Sequence, residues 1–222
     1  MNGPAPKTNP IPIPNLFAGI LVCAFAAAVA AGDADTVVRA FNPALVAKGS
    51  FVDPRDGIKY GTVKIGSQTW MAENLRFKSD SSWCYRNLPK NCEEYGRLYS
   101  WNAASHACPQ GWRMPGEDEW RMLERNMGGT DSGGGRLKSE QGWYRDGNGT
   151  DAYGFKVLPA GFSQDYGGFV NFGMSAVFWS AAEHGSGTAW CRVFRCGFAD
   201  VYLDAYVKSY GLSVRCLESG AH

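Results

Sequence analysis

The segment from Trp190 to Tyr210 contains the residue types that most often bind ligands at protein surfaces. Tyr202, Tyr206 and Tyr210 recur at every fourth position, so in a β-strand their side chains would share one face. Aromatic and arginine side chains are enriched at recognition interfaces. We therefore predict a ligand-binding surface here, and the alternative interpretation is a core strand with its edge residues. The predicted ligand-binding residues are Arg195, Tyr202, Asp204, Tyr206 and Tyr210.

Catalytic and metal-binding patterns are weaker. His106, His184 and His222 are scattered, with no hydrolase motif around them and no Cys/His cluster at zinc spacing. Asp146 to Asp151 alternates oxygen-bearing side chains with glycine, as calcium loops do, but lacks the bidentate glutamate that completes such a loop. We predict a solvated turn there, and no catalytic residue, metal or cofactor.

Glu73 and Asn74 follow a predicted strand. A carboxylate buried at that position would need partners, and Arg97 or Arg113 could supply one. We interpret the pair as part of a hydrogen-bond network that anchors the core, rather than as a catalytic site.

Two predicted helices would help to position these residues. Leu98 and Trp101, one turn apart, favour a helix over residues 93–104. A second helix is predicted to begin after Pro115-Gly116, where three acidic residues suit a helix N-terminus, and to end at Gly128-Gly129.

Strands and loops are predicted for the rest. Residues 59–65 and 69–72 flank a Gly-Ser-Gln turn and predict a hairpin. Residues 130–150 are rich in Gly, Ser and Asp and predict a surface loop. Helices followed by a series of strands predict an α+β fold. The five later strands are expected at residues 152–162, 175–180, 188–194, 201–207 and 212–217.

Composition limits the class of partner. Lys and Arg total 22 against 21 Asp and Glu, so no net field attracts nucleic acid. The 28 glycines and eight tryptophans favour short strands and tightly turned loops over a helical bundle. A length of 222 residues favours one domain with an appendage.

Leu16 to Ala31 is the apolar segment closest to membrane length. As a helix it would extend roughly 24 Å, short of a bilayer span of about 20 residues. Ala28-Val29-Ala30 matches a signal-peptide cleavage site. Residues 1–32 are therefore predicted to be a signal peptide or an uncleaved anchor, with a partner-binding apolar helix as a third interpretation. Residues 33–50 are predicted to be a linker and 51–222 the domain, so any membrane contact would come from the N-terminal segment.

Six of the seven cysteines follow that segment. An even number is typical of exported proteins with disulfides, and the alternative is a cytosolic chain with buried free thiols. Six cysteines allow many connectivities, so their spacing alone does not define the pairs. They are Cys84, Cys92, Cys108, Cys191, Cys196 and Cys216.

Several motifs occur together in an order that is similar to one protein family. The chain from about Phe51 to Leu217 resembles the Fibrobacter succinogenes major paralogous domain, which belongs to the C-type-lectin-like group of folds. The resemblance implies an exported or surface protein of a bacterium or its phage, with two helices packed on short antiparallel sheets and long loops. It implies no established activity. The motifs lie at residues 51–60, 63–75, 95–101, 107–112, 158–161, 178–180 and 213–216, together with Cys84 and Cys92.

The resemblance also implies a disulfide that staples the domain, because in this group the cysteine near the second helix joins the C-terminal strand. The expected pairs are then Cys108–Cys216, Cys84–Cys92 and Cys191–Cys196. The last pair requires a turn near Arg195, because in one continuous strand the two side chains would point to opposite faces. The Glu-Pro-Asn, Gln-Pro-Asp and Trp-Asn-Asp triplets of calcium-dependent lectins are absent, so that sugar site is not implied.

We therefore expect a non-enzymatic, secreted or cell-surface module of the bacterial envelope that presents a recognition surface to a glycan or a surface protein, with its oligomeric state open. One alternative is a structural surface or filament component assembled through Leu16 to Ala31. A second is a variable ligand-display protein of a diversity-generating retroelement, with its display surface near residues 190–210. A third, an enzyme of the formylglycine-generating type that uses Cys191 and Cys196, lacks that family's surrounding motif.

Overall fold

A computed structural model of the chain describes residues 46–220, which contain thirteen strands and four α-helices. The predicted leader (residues 1–32), most of the predicted linker and His222 lie outside the described residues. Between residues 46 and 220, no helix combines the length and apolar character that crossing a membrane requires.

The elements are short and follow one another closely. The helices are α1 (Pro89–Tyr95), α2 (Trp101–Ala104), α3 (Glu117–Asn126) and α4 (Thr130–Leu137), with single 3-10 turns at Tyr85–Asn87 and Asp165–Gly167. The strands are β1 (Ala47–Val52), β2 (Lys59–Ile65), β3 (Gln68–Met71), β4 (Ser82–Trp83), β5 (Leu98–Tyr99), β6 (Trp112–Arg113), β7 (Phe162–Ser163), β8 (Phe169–Val170), β9 (Ser175–Glu183), β10 (Thr188–Arg195), β11 (Tyr202–Val207), β12 (Leu212–Ser213) and β13 (Leu217–Glu218). The α+β prediction is confirmed.

Two main sheets are completed by the C-terminal strands. The first has the order β1-β2-β3-β13-β6, and the second has the order β11-β10-β9-β12-β5-β4, while β7 and β8 form a separate hairpin. The predicted hairpin is confirmed, because β2 and β3 meet in register from Ile65 opposite Gln68, with Gly66 at a φ of +61° in the turn. The predicted strand 212–217 divides into β12 and β13, so one segment contributes an inner strand to each sheet.

The second sheet lies between two hydrophobic clusters. Alternate residues of β9 and β10 point to opposite faces, so Trp179 and Cys191 enter one cluster, whereas Phe178 and Phe194 enter the other. The second cluster also contains Trp120 of α3, which is 1% exposed. The long strands β9 and β10 are therefore buried on both faces and form the centre of the domain.

Helix α3 confirms the second predicted helix. The Glu119 carboxylate accepts a hydrogen bond from the Gly116 N–H at 2.8 Å, which caps the helix N-terminus. The buried Arg192 guanidinium of β10 donates to Glu117 at 3.1 Å and also pairs with Glu124. These two ion pairs attach the helix to the centre of the second sheet.

The first predicted helix, over residues 93–104, is wrong. Helix α1 begins at Pro89, whose fixed φ suits a first helical turn, and ends before Gly96, which has a φ of +79°. Leu98 then pairs with β4 and β12 as part of β5, and the chain returns to helix only at Trp101. Pairing with distant strands outweighs the local helical spacing of Leu98 and Trp101.

Three boundaries also differ from the prediction. Strand β1 begins at Ala47, so residues 47–50 of the predicted linker belong to the first sheet. Residues 130–137 of the predicted loop form α4, whose Gly134 touches the backbone at Asp200 too closely for a larger side chain. Residues 152–162 form no continuous strand and contribute only isolated bridges and the first residue of β7.

Two of the three expected disulfides are present. Cys84 is bonded to Cys92, and Cys108 is bonded to Cys216, with Cα atoms 4.9 and 5.9 Å apart. The expected Cys191–Cys196 pair is wrong, since Cys191 has a free thiol and Cys196 is disulfide-bonded elsewhere. Strand β10 continues to Arg195 without a turn, so the two side chains enter different hydrophobic clusters.

A wholly buried arginine, Arg215, joins the two sheets between β12 and β13. Its guanidinium donates to Asn74 Oδ1 from Nη2 at 2.6 Å and from Nε at 3.2 Å, and to the carbonyls of Met71 and Phe155 from Nη1. Burial lowers the pKa of Arg215. The predicted core network around Asn74 therefore exists, with Arg215 at its centre.

Glu73 does not belong to that network as predicted. Its carboxylate pairs with Arg76 at 3.1 Å and accepts the Gly61 N–H at 2.9 Å. Arg97 donates instead to Ser82, and Arg113 pairs with Glu119. The side chain of Glu73 is about one-third exposed, so water solvates part of its charge. The prediction had treated this carboxylate as buried.

Candidate ligand-binding surface

Strand β11 forms one edge of the six-stranded sheet, where it pairs with β10 alone. Seven large hydrophobic side chains are exposed within the described residues, and three of them lie on this strand: Tyr202 (49%), Leu203 (38%) and Val207 (41%). An exposed edge with unpaired backbone groups and apolar side chains is a typical site for association with another molecule. We call the exposed part of β11, together with Arg195, the β11 surface. Tyr202 lies on the face of the sheet where Arg195 contacts it, whereas Leu203 and Val207 point to the opposite face.

Arg195 lies beside Tyr202 at one end of this surface. Its guanidinium is 5.2 Å from the Tyr202 ring and 4.3 Å from the Phe198 ring, and it pairs with Asp200 at 3.1 Å. Arg195 Nε and Asp200 Oδ1 are buried and have no hydrogen-bond partner among the described residues. These two atoms are enclosed, so they do not present hydrogen-bonding groups at the surface.

Lys138 stabilises the end of β10 at Arg195 and the loop that follows it. The buried Lys138 ammonium donates to the carbonyl oxygens of Arg195 and Phe198, both at 2.9 Å, and lies over the Trp143 ring. Burial lowers its pKa to about 8, against a smaller opposing effect of Asp200. The loop after β10 is thus fixed by side-chain contacts as well as by the sheet.

Tyr206, near the other end of β11, and Tyr210, in the turn that follows, are partly buried and lie beside the β11 surface. Both rings pack against Phe162, at centroid distances of 5.3 and 6.3 Å, and they are 6.0 Å from each other. Burial raises the pKa of Tyr206, which also packs against the first hydrophobic cluster. Tyr206 therefore has a structural role here, as the alternative interpretation expected.

Strand β11 ends at Val207, so Tyr210 lies in the following turn and not on the strand face with Tyr202. Asp204, between the two groups of aromatic rings, accepts the N–H of its neighbour Ala205 at 2.8 Å, and its carbonyl accepts the Cys191 thiol. The five predicted residues are thus neighbours, with Tyr202 and Arg195 at the exposed end and Tyr206 and Tyr210 at the packed end.

Sequence reasoning missed a cavity of about 290 Å³ near Tyr210. Three separate segments form it: the β4 region with Trp83 and Asn87, the β7–β8 hairpin, and Ser209 after β11. The one residue that could have indicated this cavity from the sequence is Asn87. Asparagine tolerates positive φ, and Asn87 has a φ of +57° here.

A larger cleft of about 470 Å³ is lined by residues of β1 and β2 and by the segment that follows β3. It is lined by acidic and basic side chains, including Glu73, Asp151 and Lys156. Burial raises the pKa of Asp151, whose carboxylate accepts the Lys156 N–H at 2.7 Å, and Glu73 is paired with Arg76. The predicted solvated turn therefore ends in a partly buried aspartate at this cleft.

Side chains typical of catalysis and metal binding remain separate within residues 46–220. These residues contain no group of three or more His, Cys, Asp and Glu side chains that could hold a metal ion. Cys191 is fully buried, and burial raises the pKa of its thiol, whereas a reactive cysteine needs an accessible thiolate. The Cys191 thiol is thus unsuited to the cysteine chemistry of formylglycine formation.

The sequence profile described as the Fibrobacter succinogenes major domain matches residues 63–218. The match includes part of β2, all strands from β3 to β13, and the four cysteines of the two described disulfides. No curated protein and no solved structure matches the chain. The α+β architecture comes from the structure itself. Membership of the C-type-lectin-like group remains a prediction.

Proposed function

Since the chain belongs to the Fibrobacter succinogenes major domain family, we propose that it is a non-enzymatic binding module, secreted or displayed on the bacterial cell surface. Two disulfides, Cys84–Cys92 and Cys108–Cys216, are consistent with an extracellular, oxidising compartment. The proposed ligand is a glycan or a protein of a cell surface, bound without a metal or cofactor.

The observation that carries this proposal is the concentration of exposed aromatic and apolar side chains on one edge strand. Tyr202, Leu203 and Val207 lie on β11, and Arg195 adds a guanidinium against the Tyr202 ring. Aromatic and arginine side chains contribute most of the binding energy at many interfaces. The Lys138 contacts fix the loop below Arg195, which limits the conformational entropy lost on binding.

Binding of the protein to a glycan array and a surface-protein array tests this function, with Tyr202→Ala as the diagnostic variant. We expect this variant to lose about tenfold or more in affinity for the ligand that the array identifies, since interface aromatics often contribute about 1 to 3 kcal/mol. Its unfolding midpoint should change little, because the side chain is half exposed.

Tyr144→Ala is a closely matched control. Tyr144 is 51% exposed, and its ring lies 5.2 Å from the Arg145 guanidinium, the same distance that separates Tyr202 from Arg195. We expect Tyr144→Ala to bind as the unmodified protein does. Equal losses in the two variants, or none in either, would place recognition away from the β11 surface.

The assembly alternative depends on Leu16 to Ala31, which lie outside the described residues, and stays a prediction. The variable-display alternative also stays a prediction; it uses the same β11 surface and differs in how the sequence varies between copies.

A further inference from the structure

The 290 Å³ cavity near Tyr210 has the composition of a site for a small, hydroxyl-rich ligand. Its lining contains two aromatic residues, Trp83 and Phe169, and no Lys, Arg or His. The polar lining side chains are Asn87, Ser163, Gln164, Asp165 and Ser209. Its size is at the small end of ligand pockets, which run from roughly 300 to 1,000 Å³.

The aromatic side chains come from neighbouring short strands. Trp83 lies on β4 at the edge of the six-stranded sheet, and Phe169 lies on β8 with its ring 5.2 Å from that of Tyr85. Both are partly exposed. Aromatic faces give apolar contact to the C–H groups of a ring-shaped ligand without hydrogen-bonding to it.

The polar side chains of the cavity are not used by the fold. Within the described part of the chain, the side chains of Asn87, Gln164, Asp165 and Ser209 make no hydrogen bond. The same is true of the Ser163 hydroxyl, although Ser163 is only 5% exposed. The Ser163 hydroxyl is not among the enclosed polar atoms that lack a partner, so it is open to the cavity, where water or a ligand hydroxyl can bond to it.

The cavity walls are also held in place before any ligand arrives. Asn87 keeps its positive φ through a hydrogen bond from its N–H to the Cys84 carbonyl at 2.8 Å, and Cys84 is bonded to Cys92. The Gln164 N–H donates to the Gly168 carbonyl at 2.7 Å, which closes the β7–β8 turn. A strained residue held by its surroundings is a frequent feature of binding sites.

We propose that this cavity binds a neutral saccharide unit, with its ring against Trp83 and Phe169 and its hydroxyls bonded to Asn87, Ser163 and Asp165. The inference rests on the proposed binding function and specifies a glycan as the ligand class. A saccharide uses both kinds of group in the lining, because its hydroxyls donate to the Asp165 carboxylate and accept from the Asn87 amide. An anionic ligand would meet the Asp165 charge with no basic side chain in the lining.

A quaternary ammonium ion is the main competitor for such a cavity, since aromatic faces and a carboxylate attract cations. It would make no hydrogen bonds with the amide and hydroxyl groups of Asn87, Ser163 and Ser209. The saccharide is favoured because it satisfies these groups as well as the aromatic faces.

The experiment is an NMR titration of the full chain with the methyl glycosides of glucose, galactose, mannose and N-acetylglucosamine, and with choline. We expect at least one glycoside to shift the indole N–H signal of Trp83. Trp83→Ala and Asn87→Gly should each weaken that binding by about tenfold or more. Asn87→Gly is informative because glycine accepts the positive φ, so the amide is removed while the backbone is retained.

Circular dichroism verifies that each variant is folded, and Tyr144→Ala, which changes a residue outside the cavity lining, is the control that should keep glycoside binding. The proposal is overturned if no glycoside shifts the Trp83 signal, if Asn87→Gly binds as the unmodified protein does, or if choline binds here more tightly than every glycoside. Glycoside binding that is lost only in Tyr202→Ala would overturn the proposal that this cavity binds the saccharide, and would support the β11 surface as the binding site. Binding lost only in the cavity variants is the expected result, and it leaves the β11 surface to the separate array test with Tyr202→Ala.

Discussion

Removal of the Asn74 side chain should destabilise the domain more than most single substitutions. Asn74 Oδ1 accepts two hydrogen bonds from Arg215, at 2.6 and 3.2 Å, and its Nδ2 donates to the Tyr95 carbonyl at 2.9 Å. Hydrogen bonds to charged groups contribute about 1.5 to 3 kcal/mol each. Because Arg215 is wholly buried, water cannot replace the lost acceptor without opening the core.

We therefore expect Asn74→Ala to lower the free energy of unfolding by about 3 to 5 kcal/mol, the usual cost of leaving a buried charge without a partner. Urea unfolding at pH 7 with disulfides intact measures this loss. Asn102→Ala is the control, because Asn102 is exposed and its side chain makes no hydrogen bond within residues 46–220, and it should change stability by less than about 0.5 kcal/mol.

The double variant Asn74→Leu/Arg215→Met tests the reasoning further. It removes the charge together with its acceptor, so its loss should be smaller than the sum of the two single losses. A loss below about 1 kcal/mol in Asn74→Ala, or strictly additive losses, would refute the view that Asn74 compensates the buried charge.

Two further predictions concern the cysteines. Cys108→Ser or Cys216→Ser should each lower the free energy of unfolding by about 2 to 5 kcal/mol, since the bond closes a long loop, and the double variant should be little worse. Additive losses would show that the two thiols act independently. Burial raises the pKa of the Cys191 thiol in the folded state, so its contribution to stability is present below the ordinary thiol pKa and is lost as pH rises above it. The free energy of unfolding, measured by chemical unfolding relative to that of Cys191→Ala, should fall by about 1 kcal/mol between a pH below the ordinary thiol pKa and a pH one unit above it. If the difference between the two proteins is the same at these two pH values, the thiol is not buried as the structure shows.

Local sequence patterns predict the elements that their own residues stabilise. The turn at Gly66 and the acidic first turn of α3 are such cases, and the structure has both elements. Helix α4 could not be predicted in this way, because its glycines disfavour a helix locally and are needed for close contact with the backbone at Asp200. Strand β5 was also not predicted, because its pairing with the distant strands β4 and β12 decides its conformation.

The candidate site was predictable only in part. Tyr202 and Arg195 lie close together in the sequence, so their composition indicated a surface that the structure places on an exposed edge strand. The cavity combines Trp83, Ser163 and Ser209, which are far apart in sequence and meet only through the sheet topology. No pattern within any one of these segments could indicate it.

The position of β12 and β13 has a consequence for how the chain is made. These strands, within residues 212–218, fill inner positions of both sheets, and Leu217 pairs with Trp70. Until this segment has left the ribosome, each sheet lacks an inner strand, so neither sheet is complete while most of the chain is already made. The Cys108–Cys216 bond likewise can form only after residue 216 has been made, so this covalent link also joins the two parts of the domain late in synthesis.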